Sequence, residues 1–93
     1  MREEIVRAKQ VDPAVFLRSR GLLAKRLPGE WASIKCPIHK NGQEGHASMR
    51  VNLRGGHFRC MVCGAKGGDL IALYQLISGA RFADAVRELG RLV

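Results

Sequence analysis

The spacing of hydrophobic positions changes along the chain, and each spacing points to a kind of element. Asp12 followed by Pro13 opens a helix, because a capping carboxylate precedes a residue whose ring suits the first helical position; Gly21 suits a left-handed stop. Val11 before the cap and Phe16 four positions beyond it form a hydrophobic staple. Arg18 and Arg20 in the last turn complement the helix dipole. Glu3 to Lys9 also reads as helical, with a weaker pattern. Pro28-Gly29 then marks a turn, and Trp31 to Lys35 reads as a strand running into Cys36. The polar, glycine-containing stretch from Lys40 to Gly45 reads as a loop. Met49, Val51 and Leu53 alternate with Ser48, Arg50 and Asn52, which is strand periodicity. Arg54-Gly55-Gly56 is a turn, from which His57-Phe58-Arg59 returns as a second strand. Helical spacing resumes after Gly67-Gly68. Asp69 caps a stripe of Leu70, Leu73, Tyr74 and Ile77 that Gly79 ends, and Phe82, Ala85, Val86 and Leu89 repeat the spacing. Both stripes are expected in the core. Gly67-Gly68 lacks Walker spacing and its Lys-Ser/Thr, so it reads as a close-packing turn rather than a phosphate cradle.

The elements compose a small α+β domain: an antiparallel ribbon flanked by an N-terminal helical region and two C-terminal helices. Ninety-three residues make one domain, or one module of a larger chain. Residues 1–22 form the leading helical region, 23–68 the ribbon and 69–93 the helical pair. A domain of this size buries only about 60–65% of the surface its unfolded chain exposes, so a metal staple is a natural addition.

The sequence offers ligands for one. Cys36-Pro37-Ile38-His39 and Cys60-Met61-Val62-Cys63 each hold two donors with two residues between them, and residues 40–59 separate the pairs. A pair at that spacing fits one tight turn and fills two corners of a tetrahedron; the second pair closes it. With Cys36, His39, Cys60 and Cys63 all supplied by protein, one Zn²⁺ is held with no position left for water or substrate, and its role is structural. Gly64 after the second knuckle allows the open backbone that turns amide N–H groups toward a thiolate. Other chemistries fit less well. A redox Cys-x-x-Cys belongs near a βαβ pattern, covalent haem needs His where Gly64 stands, and three cysteines cannot close a disulfide set. His46 and His57 are the other imidazoles, but neither is paired with a cysteine at turn spacing.

Charge adds a partner class. Sixteen Lys and Arg against eight Asp and Glu give +8, and a zinc held by three thiolates leaves about +7. Such a balance suits a polyanion, and it becomes persuasive if the charges share a face. The alternation supplies that face. With Met49, Val51, Leu53 and Phe58 inward, Arg50, Asn52, His57 and Arg59 face the other way, and Lys35 and Trp31 extend the surface. Arg54 and Lys66 add cations at its margins. Such a face holds single-stranded nucleic acid when cations track phosphates and rings stack on bases; the plain alternative is an ordinary solvated sheet face.

These residues resemble the N-terminal zinc-binding domain of bacterial and phage DnaG-type DNA primases. The likeness runs through Ile5 to Leu17, Cys36-Pro37-Ile38-His39, Phe58-Arg59-Cys60-Met61-Val62-Cys63-Gly64, Gly67-Gly68-Asp69-Leu70-Ile71 and Phe82-Ala83-Asp84-Ala85-Val86. Where that family usually has Thr-Pro-Ser-Phe after the first knuckle, this chain has His46-Ala47-Ser48-Met49. The resemblance implies a zinc ribbon that contacts single-stranded template and helps a catalytic domain begin a primer. It makes Lys35, Arg50, Arg59 and Lys66 template contacts. It also implies possible partners in a primase catalytic domain, a helicase or another replication protein. Primer synthesis itself needs clustered carboxylates holding Mg²⁺, whereas Asp12, Asp69 and Asp84 stand apart and no Asp-x-Asp pair occurs, so no catalysis is expected from the chain alone. No segment reads as a signal peptide or membrane span, and metal-committed cysteines fit a cytoplasmic monomer. A zinc module for protein docking is the alternative from another class. A thiol oxidoreductase is a third, and it requires a reversible Cys60–Cys63 disulfide.

Overall fold

The computed structural model describes residues 2–37 and 47–92. Five strands form one antiparallel sheet in sequence order: β1 (Leu23–Leu27), β2 (Trp31–Ile34), β3 (Met49–Asn52), β4 (Phe58–Cys60) and β5 (Lys66–Gly67). Two helices precede the sheet, α1 (Arg2–Lys9) and α2 (Pro13–Ser19), and two follow it, α3 (Leu70–Ser78) and α4 (Phe82–Gly90).

Register assigns the two faces of the sheet. Ala32 stands opposite Val51, Val51 opposite Phe58, and Phe58 opposite Gly67, while Ile34 pairs with Met49 and Met49 with Cys60. All but Gly67 are buried, so this face forms the floor of the core. Above it lie Phe16 and Leu17 of α2, Leu70, Ile71 and Leu73 of α3, and Ala85, Val86 and Leu89 of α4. Gly67 sets how closely α3 approaches: a Cβ there would lie 2.5 Å from the Phe58 ring and 2.8 Å from the Ala72 Cβ.

The capping chemistry matches the expectations from sequence. Asp12 Oδ1 accepts from the Ala14 amide at 2.8 Å, with Pro13 as the first helical residue. Asp69 Oδ1 accepts from the Ala72 amide at 2.9 Å, and Gly79 ends α3 with φ +73°. The α1 and α3 helices are also tied by Lys9 Nζ and Asp69 Oδ2, 3.8 Å apart. At the end of the sheet near Trp31 two turns are joined: Leu53 donates to the Glu30 carbonyl at 2.7 Å, and Arg54 Nε meets Glu30 Oε2 at 3.1 Å.

The structure departs from the expected arrangement in three places. The sheet gains β1 and β5 at its edges. The alternation in β1 was hidden by a register shift between Leu23 and Lys25, and β5 has only two residues. Phe82, expected on the core stripe, is 42% exposed at the first position of α4, while Ala85, Val86 and Leu89 of the same stripe are buried. Arg20, expected to serve the α2 dipole, instead lies over the rings of Tyr74, at 4.9 Å, and Phe16, at 5.9 Å. Among the described residues, no helix is long and apolar enough to cross a membrane.

Candidate metal centre and the open sheet face

Three thiols converge where the end of β4 meets the segment after β2. Cys36 and Cys60 are buried, Cys63 is exposed, and the three Sγ atoms lie within 4.8 Å of one another. The second knuckle is a closed turn: Gly64 donates to the Cys60 carbonyl at 3.1 Å with φ +79°, and Cys60 donates to the Ala65 carbonyl at 2.7 Å. A side chain at Gly64 would incur left-handed backbone strain even though its Cβ meets nothing within 4 Å.

The cluster fits zinc. A tetrahedral ion with Zn–S near 2.3 Å sets its sulfurs about 3.8 Å apart, and Cys36 Sγ and Cys63 Sγ are 3.6 Å apart, far beyond an S–S bond. The surroundings favour thiolate. Cys60 Sγ lies 3.4 Å from Ser48 Oγ and accepts from the amides of Val62 and Cys63, each at 3.4 Å. Burial alone raises the Cys60 pKa. The hydrogen bonds from Ser48, Cys63 and Val62 outweigh it and bring the pKa down from 9.0 to about 6. Ser48 is held to the knuckle a second time, because its carbonyl accepts from the Met61 amide at 2.9 Å. Its supporting role was not drawn from the sequence, where Ser48 reads only as a polar position of an alternating strand. His39 and His46, and the loop from Lys40 to Gly45, lie outside the described residues. His57 belongs elsewhere, with its ring edge-on to Trp31 at 5.1 Å.

Among the described residues, the face of the sheet opposite the core carries mostly exposed or half-buried side chains, with Ser33 buried among them. Lys25 pairs with Ser33, Ser33 with Arg50, Arg50 with Arg59, and Arg59 with Lys66. Directly opposed residues share a face, so these five form a single row across all five strands, with four cations around the small Ser33. At about 4.8 Å between strands the row spans about 19 Å. Lys25, Arg59 and Lys66 are exposed; Arg50 is half-buried, and its guanidinium donates to the Ala47 carbonyl at 3.2 Å. Trp31, half-buried, stands in the next row between Leu27 and Asn52. Lys35 is exposed just beyond β2. Two sequence candidates carry a local duty: Asn52 Oδ1 accepts from the amides of Arg54 and Gly55 at 3.0 and 2.8 Å, and Arg54 is ion-paired with Glu30. Lys25 was missed because its strand was missed.

No curated protein matches the chain. The CHC2 zinc finger, the zinc ribbon of the DnaG type, matches residues 8–93. That span takes in both knuckles and every strand, and the chain belongs to the CHC2 zinc-finger family.

Proposed function

We propose that the chain is a template-binding module of DNA-primase type, which holds single-stranded DNA across the open sheet face while zinc fixes the shape of that face. The observation that carries this reading is the row of Lys25, Arg50, Arg59 and Lys66 beside Trp31. A bare sheet face has no need to align four cations. A phosphate backbone does, with an aromatic ring beside it for a base. The metal contributes indirectly. Cys60 ends β4 one residue after Arg59, so the thiolate cluster anchors the strand that carries the middle of the row. His39 completes the ligand set in this reading.

The chain supplies binding rather than catalysis. Five of its seven described side-chain carboxylates hold local structure: Asp12 and Asp69 cap helices, Glu30 pairs with Arg54, Asp84 with Arg87 and Glu88 with Arg91. The other two, Glu3 and Glu4, lie in the first turn of α1. A catalytic domain, a helicase or another replication protein is therefore the expected partner. A docking role has one observation in its favour. Met61 and Val62 at the tip of the second knuckle are 65% and 69% exposed, an apolar point that a protein partner can cover.

The test is fluorescence anisotropy of the zinc-loaded protein with single- and double-stranded oligonucleotides. Single strands are expected to bind preferentially, and Arg50→Ala and Arg59→Ala each to weaken binding with the fold intact. Unchanged binding in both variants removes the assignment of this face. Failure to bind any strand at low salt shifts the reading to docking.

A further inference from the structure

The cation row explains how a strand is held but not which bases the face accepts. The surroundings of Trp31 bear on that question, and the inference rests on the single-strand reading above. Two depressions flank the indole. One, of about 570 Å³, is lined by Trp31, His57, Arg59, Lys66 and the Gly67-Gly68 backbone. The other, of about 390 Å³, is lined by Leu27, Pro28, Trp31, Arg50, Arg59 and Met61. Arg59 borders both, so a strand crossing the row can place successive bases on either side of Trp31 with the intervening phosphate near Arg59.

The side-chain polar groups around these depressions are nearly all donors. Guanidinium and ammonium groups have no acceptor, and the indole has only its N–H. Among the described residues lining them there is no Asp, Glu, Asn or Gln, and His57 offers at most one acceptor nitrogen. Asn52, beside Trp31 in its cross-strand row, has its side-chain oxygen occupied by two turn amides and so presents its NH₂. The nearest carboxylate on the adjoining turn, Glu30, is ion-paired with Arg54. Strands β2, β3 and β4 are interior to the sheet, each hydrogen-bonded to a neighbour on both sides.

Bases differ in what they require of such a surface. Thymine presents the acceptor O4 where cytosine presents an exocyclic amino group, and guanine carries an exocyclic amino group beside its acceptors O6 and N7. An amino group needs an acceptor from the protein and loses hydrogen bonds to water if none is offered. We propose that this face selects thymine over cytosine. Lys66 and Arg59 are the selecting side chains in the larger depression, and Arg50 and Arg59 in the smaller.

Oligo(dT) and oligo(dC) of equal length test this, with oligo(dU) separating the thymine methyl, because O4 and N3–H then replace the amino group and the bare N3. Zinc-loaded protein should bind oligo(dT) tighter by roughly tenfold for each base read. Lys66→Gln, at an exposed position, introduces an acceptor and should narrow the ratio, with circular dichroism confirming an unchanged fold. Equal affinities, or tighter binding of oligo(dC), overturn the selection while leaving single-strand binding in place. Binding of neither oligonucleotide overturns the single-strand reading and the selection with it. A ratio unaffected by Lys66→Gln removes Lys66 from the selecting set.

Discussion

Gly67→Ala tests how the sheet is fitted to its helix layer. The added Cβ would lie 2.5 and 2.6 Å from two carbons of the Phe58 ring and 2.8 Å from the Ala72 Cβ. Non-bonded carbons settle about 3.5–4.0 Å apart, so each contact is roughly 1 Å too short. Neither neighbour can turn aside. Phe58 is 4% exposed within the core, and a Cβ such as that of Ala72 moves only with its backbone, here α3. Either α3 lifts or β5 parts from β4, and overpacking of this kind costs about 1–3 kcal/mol. A loss of about 2 kcal/mol lowers Tm by about 8–16 °C in a domain this small. Thermal unfolding of the zinc-loaded protein at fixed metal concentration measures it. Gly68→Ala is the control, since nothing lies within 4 Å of its Cβ, and it should stay within about 0.5 kcal/mol of the parent. Adding Phe58→Leu to Gly67→Ala removes part of the ring in the way, so the double variant should lose less than the sum of the single losses. Equal effects of the two alanine substitutions would refute the packing argument.

The metal centre carries two further predictions. Ser48→Ala removes the hydroxyl beside Cys60 Sγ and should weaken zinc binding by about 10–100-fold, measured by competition with a chromophoric chelator; unchanged affinity would show that the backbone amides suffice. Zinc retention should also depend on pH in a definite direction. The metal-free Cys60 pKa is lowered to about 6, so its proton does not compete with zinc at neutral pH and does so only as pH falls through that value. The Cys60 contribution to apparent zinc affinity, measured by chelator competition across pH, should therefore be flat above about pH 6 and fall below it, with the fall starting at higher pH in Ser48→Ala. A Ser48→Ala profile that matches the parent's would contradict the hydrogen-bonded thiolate.

Much of this architecture could be read from the sequence because local chemistry decides it. Asp12-Pro13 and Asp69 with Gly79 fix helix ends through single side chains and one backbone conformation, and both are found as expected. The alternation of Met49, Val51 and Leu53 marks an inward face that tertiary packing then honours. The Cys/His knuckles signal a metal through spacing alone, and their three sulfurs meet in space. What escaped depends on partners distant in sequence. Leu23–Leu27 becomes a strand only by pairing with β2, around a bulge that breaks its alternation, and so Lys25 could not be placed at the end of the cation row. The half-turn duty of Asn52 depends on where the chain turns after β3, not on its own place in the alternating pattern. Ser48 supports the metal site only because β3 and β4 bring it to Cys60.

The central claim is that the open sheet face holds a single strand through its row of four cations. The most direct measurement is the salt dependence of oligo(dT) affinity for the zinc-loaded protein, compared with a variant in which Lys25, Arg59 and Lys66 are all alanine. If each cation neutralises one phosphate, the parent's log–log slope is about −3 and the variant's falls to about −0.7. The exposed positions of the three residues leave the fold of the variant intact, which its zinc content and circular dichroism verify. A slope that stays near the parent value in the folded variant would place the nucleic acid elsewhere and contradict the account.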